Sequence, residues 1–310
     1  MRVAAIDCGT NSIRLLVADL PPDGGPLTDV TRRMEIVRLG QGVDRTGVLA
    51  APAIERTRVA LAGYAEAIGT LGAERVRMVA TSASRDARNA DEFRDMVVAT
   101  LGRPPEVVSG DEEARLSFTG AVRGLPAGAE PPYLVVDIGG GSTEFVRGTS
   151  TVDSALSVDV GCVRMTERHL HSDPPTAAQV AAATADIGAA VDRALAVVGG
   201  RSADEVVGLA GSVTTVAAIA LDLPRYLPGR THHARISRAD VARVSDDLLT
   251  LTRAQRLAIP SMHPGRADVI AAGALILRII LDRAGAGTVI ASEHDILDGI
   301  AYGLSTGTPT

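Results

Sequence analysis

Short apolar runs alternate with longer amphipathic stretches along the whole chain. Runs rich in Val, Ile, Leu and Ala at 3–6, 13–18, 30–39, 76–80, 106–108, 133–137, 144–147 and 206–209 predict strands. Apolar residues recurring every three or four positions predict helices at 53–70, 91–101, 112–123, 177–198, 213–221, 238–251, 266–282 and 295–304. Strands that alternate with helices imply an α/β chain. The stretch 124–132, Gly-Leu-Pro-Ala-Gly-Ala-Glu-Pro-Pro, lacks either period and is dense in Pro and Gly, so it divides the chain near residue 125.

The segment just after this linker repeats the one that opens the chain. Residues 3–12 read Val-Ala-Ala-Ile-Asp-Cys-Gly-Thr-Asn-Ser, and residues 133–142 read Tyr-Leu-Val-Val-Asp-Ile-Gly-Gly-Gly-Ser. Each is an apolar strand running into Asp-x-Gly-x-x-Ser and then into a second strand. Small residues let such a turn bring backbone N–H groups onto an anion, and an Asp at the strand end can hold a metal directly or through water. A single loose match arises by chance. Two, each after a strand and on either side of a linker, predict two related lobes facing one phosphate–metal site.

Composition narrows the chemistry. The 310 residues are 46% hydrophobic but only 2% aromatic, with no Trp, so Ala, Val, Leu and Ile must fill the core. Three Phe and four Tyr cannot build a stacking platform for single-stranded nucleic acid. The net charge of −6 argues against a DNA-binding face or a membrane-surface patch. All 31 basic residues are Arg, which excludes a GxxxxGK[ST] phosphate loop and any Schiff-base lysine. A phosphate held by a side-chain cation must therefore be held by Arg, and a polyanion would need a local Arg-lined cleft within an acidic surface. Cys8 and Cys162 form no CxxC pair. The N-terminus turns polar before a signal-peptide core could form, and the apolar run 269–281 is broken by Gly273 and Arg278. These features lead us to expect a soluble, cytoplasmic protein.

The paired turns are the signature of the actin-like, sugar-kinase and Hsp70-like superfamily, and the flanking segments are more specific. Asp7-Cys8-Gly9-Thr10-Asn11-Ser12-Ile13-Arg14-Leu15, Ala80-Thr81-Ser82-Ala83-Ser84-Arg85, Ser109-Gly110-Asp111-Glu112-Glu113-Ala114 and Asp137-Ile138-Gly139-Gly140-Gly141-Ser142-Thr143-Glu144 resemble exopolyphosphatases and guanosine pentaphosphate phosphohydrolases. So do Gly161-Cys162-Val163-Arg164, Gly208-Leu209-Ala210-Gly211-Ser212 and Arg266-Ala267-Asp268, in family order over almost the whole chain. The resemblance implies two actin-like (ribonuclease H-like) lobes with mixed sheets flanked by helices and the active site in the cleft between them. The expected division is 1–125 and 126–293, with a C-terminal helix at about 294–310 packing back on the first lobe.

It also implies the chemistry. Water attacking a terminal phosphoryl group needs chiefly positioning and charge neutralisation, and the family pattern gives the water-activating carboxylate to Glu113. Acidic residues also crowd first helical turns because the macrodipole favours them, which is the role expected of Glu112. Asp7, Asp137 and Glu144 are the expected ligands of Mg²⁺, with Mn²⁺ as a substitute. Gly139, Gly140, Gly141, Ser142 and Thr143 are expected to cradle phosphate, mirrored by Gly9, Thr10, Asn11 and Ser12. Gly211 and Ser212 add amides at a helix start. Arg85 holds the family's substrate-facing position, and Arg14, Arg88 and Arg266 are either further candidate cations or structural ion-pair partners, with Cys162 on the substrate side. The six His yield no metal set: His169, His171, His232 and His233 read as solvated, and His294-Asp295 as a chance dipeptide. The implied substrate is inorganic polyphosphate, with guanosine penta- or tetraphosphate as the alternative, no DNA or membrane partner, and room for a homodimer. An actin-like-fold kinase shares the paired loops but lacks the Ser-Gly-x-Glu-Glu-Ala block.

Overall fold

A computed structural model describes residues 1–21, 25–126, 128–200 and 205–305. Ala127 of the expected linker and the last five residues of the expected C-terminal segment lie outside these. The chain divides into two compact units, Met1–Gly124 with Asp295–Thr310, and Leu125–His294.

The first unit opens with β1 (Arg2–Cys8), β2 (Ser12–Asp19) and β3 (Thr28–Ile36), then α1 (Val43–Thr46), α2 (Ala51–Leu71) and β4 (Arg75–Ala80). After these come α3 (Ser82–Asp86), α4 (Ala90–Leu101), β5 (Glu106–Val107) and α5 (Gly110–Val122). The sheet order is β3-β2-β1-β4-β5, antiparallel across the two hairpins and parallel from β1 to β5. β1 is central and buried on both faces, which is why it reads as a continuous apolar run rather than an alternation. Ala4, Ile6 and Cys8 pack with Leu61 and Tyr64 of α2 and Phe93 of α4. Val3 and Ala5 face the other way, among Leu116 of α5 and residues 296–302 of the returning C-terminal segment.

The second unit carries β6 (Tyr133–Ile138), β7 (Thr143–Gly148), β8 (Val152–Val158), α6 (Cys162–His169), α7 (Ala177–Val198), β9 (Glu205–Leu209) and α8 (Ala210–Ala220). It continues with α9 (Pro228–Thr231), β10 (Arg235–Ser237), α10 (Arg238–Thr250), α11 (Arg253–Leu257), α12 (Ile270–Ala284) and β11 (Thr288–Ala291). Its sheet, read as β8-β7-β6-β9-β11-β10, reproduces the order of the first unit with β10 added at one edge. The sequence repeat is thus a repeat of topology. The apolar run beginning at Val269 is explained by α12, which is buried on nearly every side within one core cluster. No helix among the described residues is long and apolar enough to cross a membrane.

The eight expected strands and eight expected helices are all present. β8, β10, β11, α1, α3, α6, α9 and α11 are additions. β8 (Val-Asp-Ser-Ala-Leu-Ser-Val) is an edge strand with small polar residues that blunt its alternation, and the other additions are mostly too short to show a period. The helix expected from 266 begins at Ile270, because Pro264 and Gly265 form a separate 3₁₀ turn ending at Arg266.

The C-terminal helix α13 (Ile296–Gly303) belongs to the first unit and crosses α5 at two glycines. A Cβ on Gly120 would strike the Asp295 carbonyl, and one on Gly299 the Leu116 carbonyl. Both obstacles are backbone, so neither can swing aside. Gly120→Ala and Gly299→Ala should each lower stability by about 1–3 kcal/mol or more, as overpacking does, read as a fall in the calorimetric Tm. An unchanged Tm would show that the two helices part without cost.

Candidate active site

In the first unit, the turn between β1 and β2 is closed by the Gly9 N–H donating to the Ser12 carbonyl at 2.9 Å. Asp7 is 4% exposed and lies directly across the ladder from Arg14. Arg14 donates from Nε (3.0 Å) and Nη2 (2.6 Å) to Asp7 Oδ2, and from Nη1 to Asp295 Oδ2. Asp7 Oδ1 is buried and has no hydrogen-bond partner. Burial pushes the Asp7 carboxyl above its ordinary range, against the pull of Arg14. Burial acts likewise on Asp295, but there Arg14 and then Arg32 prevail and hold the carboxyl below its ordinary range.

Thr10 and Asn11 are backed by the segment after β3. The Asn11 carbonyl accepts from the N–H groups of Val37 (3.1 Å) and Arg38 (2.8 Å), and the Thr10 carbonyl accepts from Gly40 (2.9 Å). The Thr10 hydroxyl meets Ser82 Oγ at 2.8 Å. Arg85 leaves α3 to donate from Nη1 to the Val108 carbonyl (3.0 Å) and to Glu113 Oε2 (3.2 Å). Ser109 caps α5 by accepting from the Glu112 N–H, which fixes the phase of the first turn. Glu113 consequently points inward, its side chain 10% exposed, whereas the Glu112 side chain is 44% exposed, with Arg77 Nη2 3.8 Å from its carboxylate. Arg88 donates to the Thr46 carbonyl and packs over Gly47, which ties it to the end of α1.

In the second unit the equivalent turn closes the same way, Gly139 N–H to the Ser142 carbonyl at 3.0 Å. Its carbonyls are held from behind by the start of α6. Cys162 N–H donates to Gly139, Val163 and Arg164 N–H groups donate to Gly140, and Arg164 Nε donates to Gly141 at 2.7 Å. A Cβ on Gly161 would strike the Gly140 backbone. Thr143 Oγ1 donates to the Val160 carbonyl. Asp137 and Glu144, both buried, sit directly opposite each other in the ladder, and Ser157 donates to Glu144 Oε1 at 2.7 Å. The ladder thus sets two carboxyl groups side by side at the end of this turn. Ala210, at φ 64, turns β9 abruptly into α8. Gly211 and Ser212 thereby enter its first turn, with the Arg266 guanidinium laid over Gly211. Ser212 packs against Gly273 of α12, and Cys162 lies beside it. Burial pushes the Cys162 thiol up, against Ser212 and Arg266, so it is a neutral contact and not a thiolate nucleophile.

The expected residues therefore form two local sets. One holds Asp7, Gly9, Thr10, Asn11, Ser12, Arg14, Arg85 and Glu113. The other holds Asp137, the Gly139–Glu144 turn, Cys162, Gly211, Ser212 and Arg266. Among the described residues, no three His, Cys, Asp or Glu side chains are arranged to hold a metal ion by themselves. Mg²⁺ commonly takes one or two carboxylates and completes its shell with water and substrate phosphate, and the unpartnered Asp7 Oδ1 and the opposed Asp137–Glu144 pair are donors of that kind. Sequence reasoning missed Ser82, Gly40, Gly161, Gly273 and Asp295. His169, His232 and His233 lie at the helix ends and loop expected of them but are packed rather than fully solvated. His232 stacks on His233 with ring centroids 3.6 Å apart and meets His294 at 4.5 Å, while His169 bonds Asp186. These four rings are half-buried and packed, whereas His171 is exposed as expected.

The two turn-and-helix sites on duplicated mixed sheets define a phosphate-handling protein of actin-like fold, and the chain belongs to the Ppx/GppA phosphatase family, whose profile matches residues 17–306. Exopolyphosphatase 2 of Mycobacterium tuberculosis is 50% identical over 315 residues, covering 98% of both chains. A solved exopolyphosphatase-like protein superposes with a TM-score of 0.94 at 41% identity, covering 98% of this chain and 99% of that one. The Aquifex aeolicus member of the family superposes with a TM-score of 0.82 at 31% identity, covering 98% and 97%.

The contact of Arg266 with Gly211 makes the cation testable. In Gly211→Ala the new Cβ would occupy the place of the guanidinium, a flexible end that can move while the fold stays intact. If Arg266 holds a substrate phosphate, KM should rise about tenfold or more, the worth of a charge-assisted hydrogen bond, with little change in Tm. An unchanged KM would remove Arg266 from the substrate site.

Proposed function

We propose that the chain is an exopolyphosphatase that removes the terminal phosphate of inorganic polyphosphate with water activated by Glu113, in a reaction dependent on Mg²⁺, with Mn²⁺ as a substitute. The observation that carries the choice of base is the inward, Arg85-bound placement of Glu113 beside an outward Glu112. Family membership and the 50% identity to an exopolyphosphatase support the reaction class and the substrate.

In this scheme a water oxygen attacks the terminal phosphorus, its proton passes to Glu113, and the phosphoanhydride bond to the penultimate phosphate breaks. The products are inorganic phosphate and a chain one unit shorter. Arg85 fixes the carboxylate so that the water it orients lies in line with that bond. The glycine-rich turns supply N–H donors to the phosphoryl oxygens, and Arg266 supplies a cation. In the first unit Asp7 would offer Oδ1 to the metal, and in the second unit Asp137 and Glu144 are the candidate carboxylate ligands. Mg²⁺ held there would supply charge neutralisation for the transferred and leaving phosphates.

Glu113→Gln keeps the volume and removes the base. Its kcat should fall roughly 10²–10⁴-fold with KM little changed, whereas Glu112→Gln should stay close to the parent enzyme. A fully active Glu113→Gln enzyme would end the assignment, and a selective loss in Glu112→Gln would transfer it. Phosphate release from polyphosphate, guanosine pentaphosphate and ATP, assayed side by side, checks the substrate; preference for either nucleotide would reject polyphosphate.

Excess chelator should abolish turnover, and added Mg²⁺ or Mn²⁺ should restore it. Undiminished hydrolysis in chelator would reject the metal and, with it, the roles given to Asp7, Asp137 and Glu144.

A further inference from the structure

The N-cap of α13 is a buried carboxylate that the reaction scheme does not use. Asp295 Oδ2 accepts from Arg14 Nη1, while its Oδ1 accepts from the Leu297 N–H as the cap of α13. The same arginine directs its two remaining donor groups, Nε and Nη2, at one oxygen of Asp7. Asp7 therefore cannot rotate without breaking two charge-assisted bonds. Its Oδ1 is the oxygen left for a ligand, buried and unpartnered. Arg14 by itself would cancel the charge of Asp7, and Asp295 restores a net negative charge to the cluster. Arg32, the next cation along, is already paired with Asp298 and Asp29 and adds no uncompensated charge.

We infer that Asp295 is a positioning residue for cation binding at Asp7. It holds Arg14 in the pose that aims Asp7 Oδ1, and it keeps the cluster anionic enough to attract a divalent ion. This role rests on the proposal that Asp7 contacts the metal. Outer-shell partners of this kind commonly set both the orientation and the affinity of a ligand carboxylate. The contact bridges residues 281 positions apart, so α13 contributes to the chemistry through charge as well as through packing.

Asp295→Asn separates the two roles. Asn is as good a helix cap as Asp but carries no charge for Arg14. Asp298→Asn is the matched control: it is equally buried on the same helix turn and bonded to Arg32 instead of Arg14. Binding of Mn²⁺ alone to the free protein, monitored by electron paramagnetic resonance, is measured beside Tm for the parent protein and for Asp7→Asn, Asp295→Asn and Asp298→Asn. The Mn²⁺ Kd of Asp295→Asn should rise roughly 10–100-fold, and that of Asp298→Asn should stay near the parent value whatever their Tm values. Unchanged affinity in Asp295→Asn, or equal weakening in both, would overturn the role of Asp295. A parent protein that binds no Mn²⁺, or an Asp7→Asn protein that binds it as well as the parent, would instead overturn the metal assignment on which that role stands.

Discussion

A carboxylate buried at the end of a central strand is expensive, and the first unit is organised around making Asp7 tolerable. An isolated charge taken out of water costs several kcal/mol even after the surroundings relax. The cost is offset by a cation directly across the ladder, so β2 must place Arg14 in register with Asp7. Arg14 is itself buried and needs a second anion, which it finds in Asp295, at the point where the chain comes back from the second unit. That return requires α13 to lie against α5, and the crossing is close enough to demand glycine at 120 and 299. One buried charge thus ties together the hairpin, the C-terminal helix and two glycines far apart in sequence.

The second unit repeats the strand order and the turn but resolves the charge differently. Where the first has Asp opposite Arg, the second has Asp137 opposite Glu144. The backbone device is shared, since Gly9 and Gly139 close their turns with the same bond. The residue across the ladder has diverged, so that one turn sets a carboxylate against a guanidinium and the other sets two carboxyl groups against each other. The two units share the scaffold and differ in the residue across the ladder.

Much of this was legible in the sequence because it depends on local rules. Central strands buried on both faces appear as apolar runs, and a phosphate turn needs small residues at fixed offsets. Even the choice between Glu112 and Glu113 has a local signal. Glu113, Leu116, Ser117 and Gly120 form one buried helical stripe, and Glu112 lies off it. What stayed hidden depends on tertiary partners. Asp295 looks like half of a chance His-Asp dipeptide until the fold brings it to Arg14. His232 and His233 are sequence neighbours, but nothing in the chain between them and His294 announces that the three rings pack together. β8 and β10 escape notice because edge strands can be short and weakly patterned.

The exclusive use of arginine fits this architecture at its tightest points. Arg14 on β2 bridges Asp7 and Asp295, and Arg32 on β3 bridges Asp29 and Asp298. Each guanidinium joins two carboxylates through donors fixed in one plane, which a single ammonium centre does less directionally. Asp295 and Asp298 form the reciprocal cap of α13, so the two arginines grip its first turn while the helix macrodipole favours those same carboxylates. The forces that dock the helix therefore converge on its first turn, where Asp295 meets the arginine that grips Asp7 and Asp298 meets Arg32.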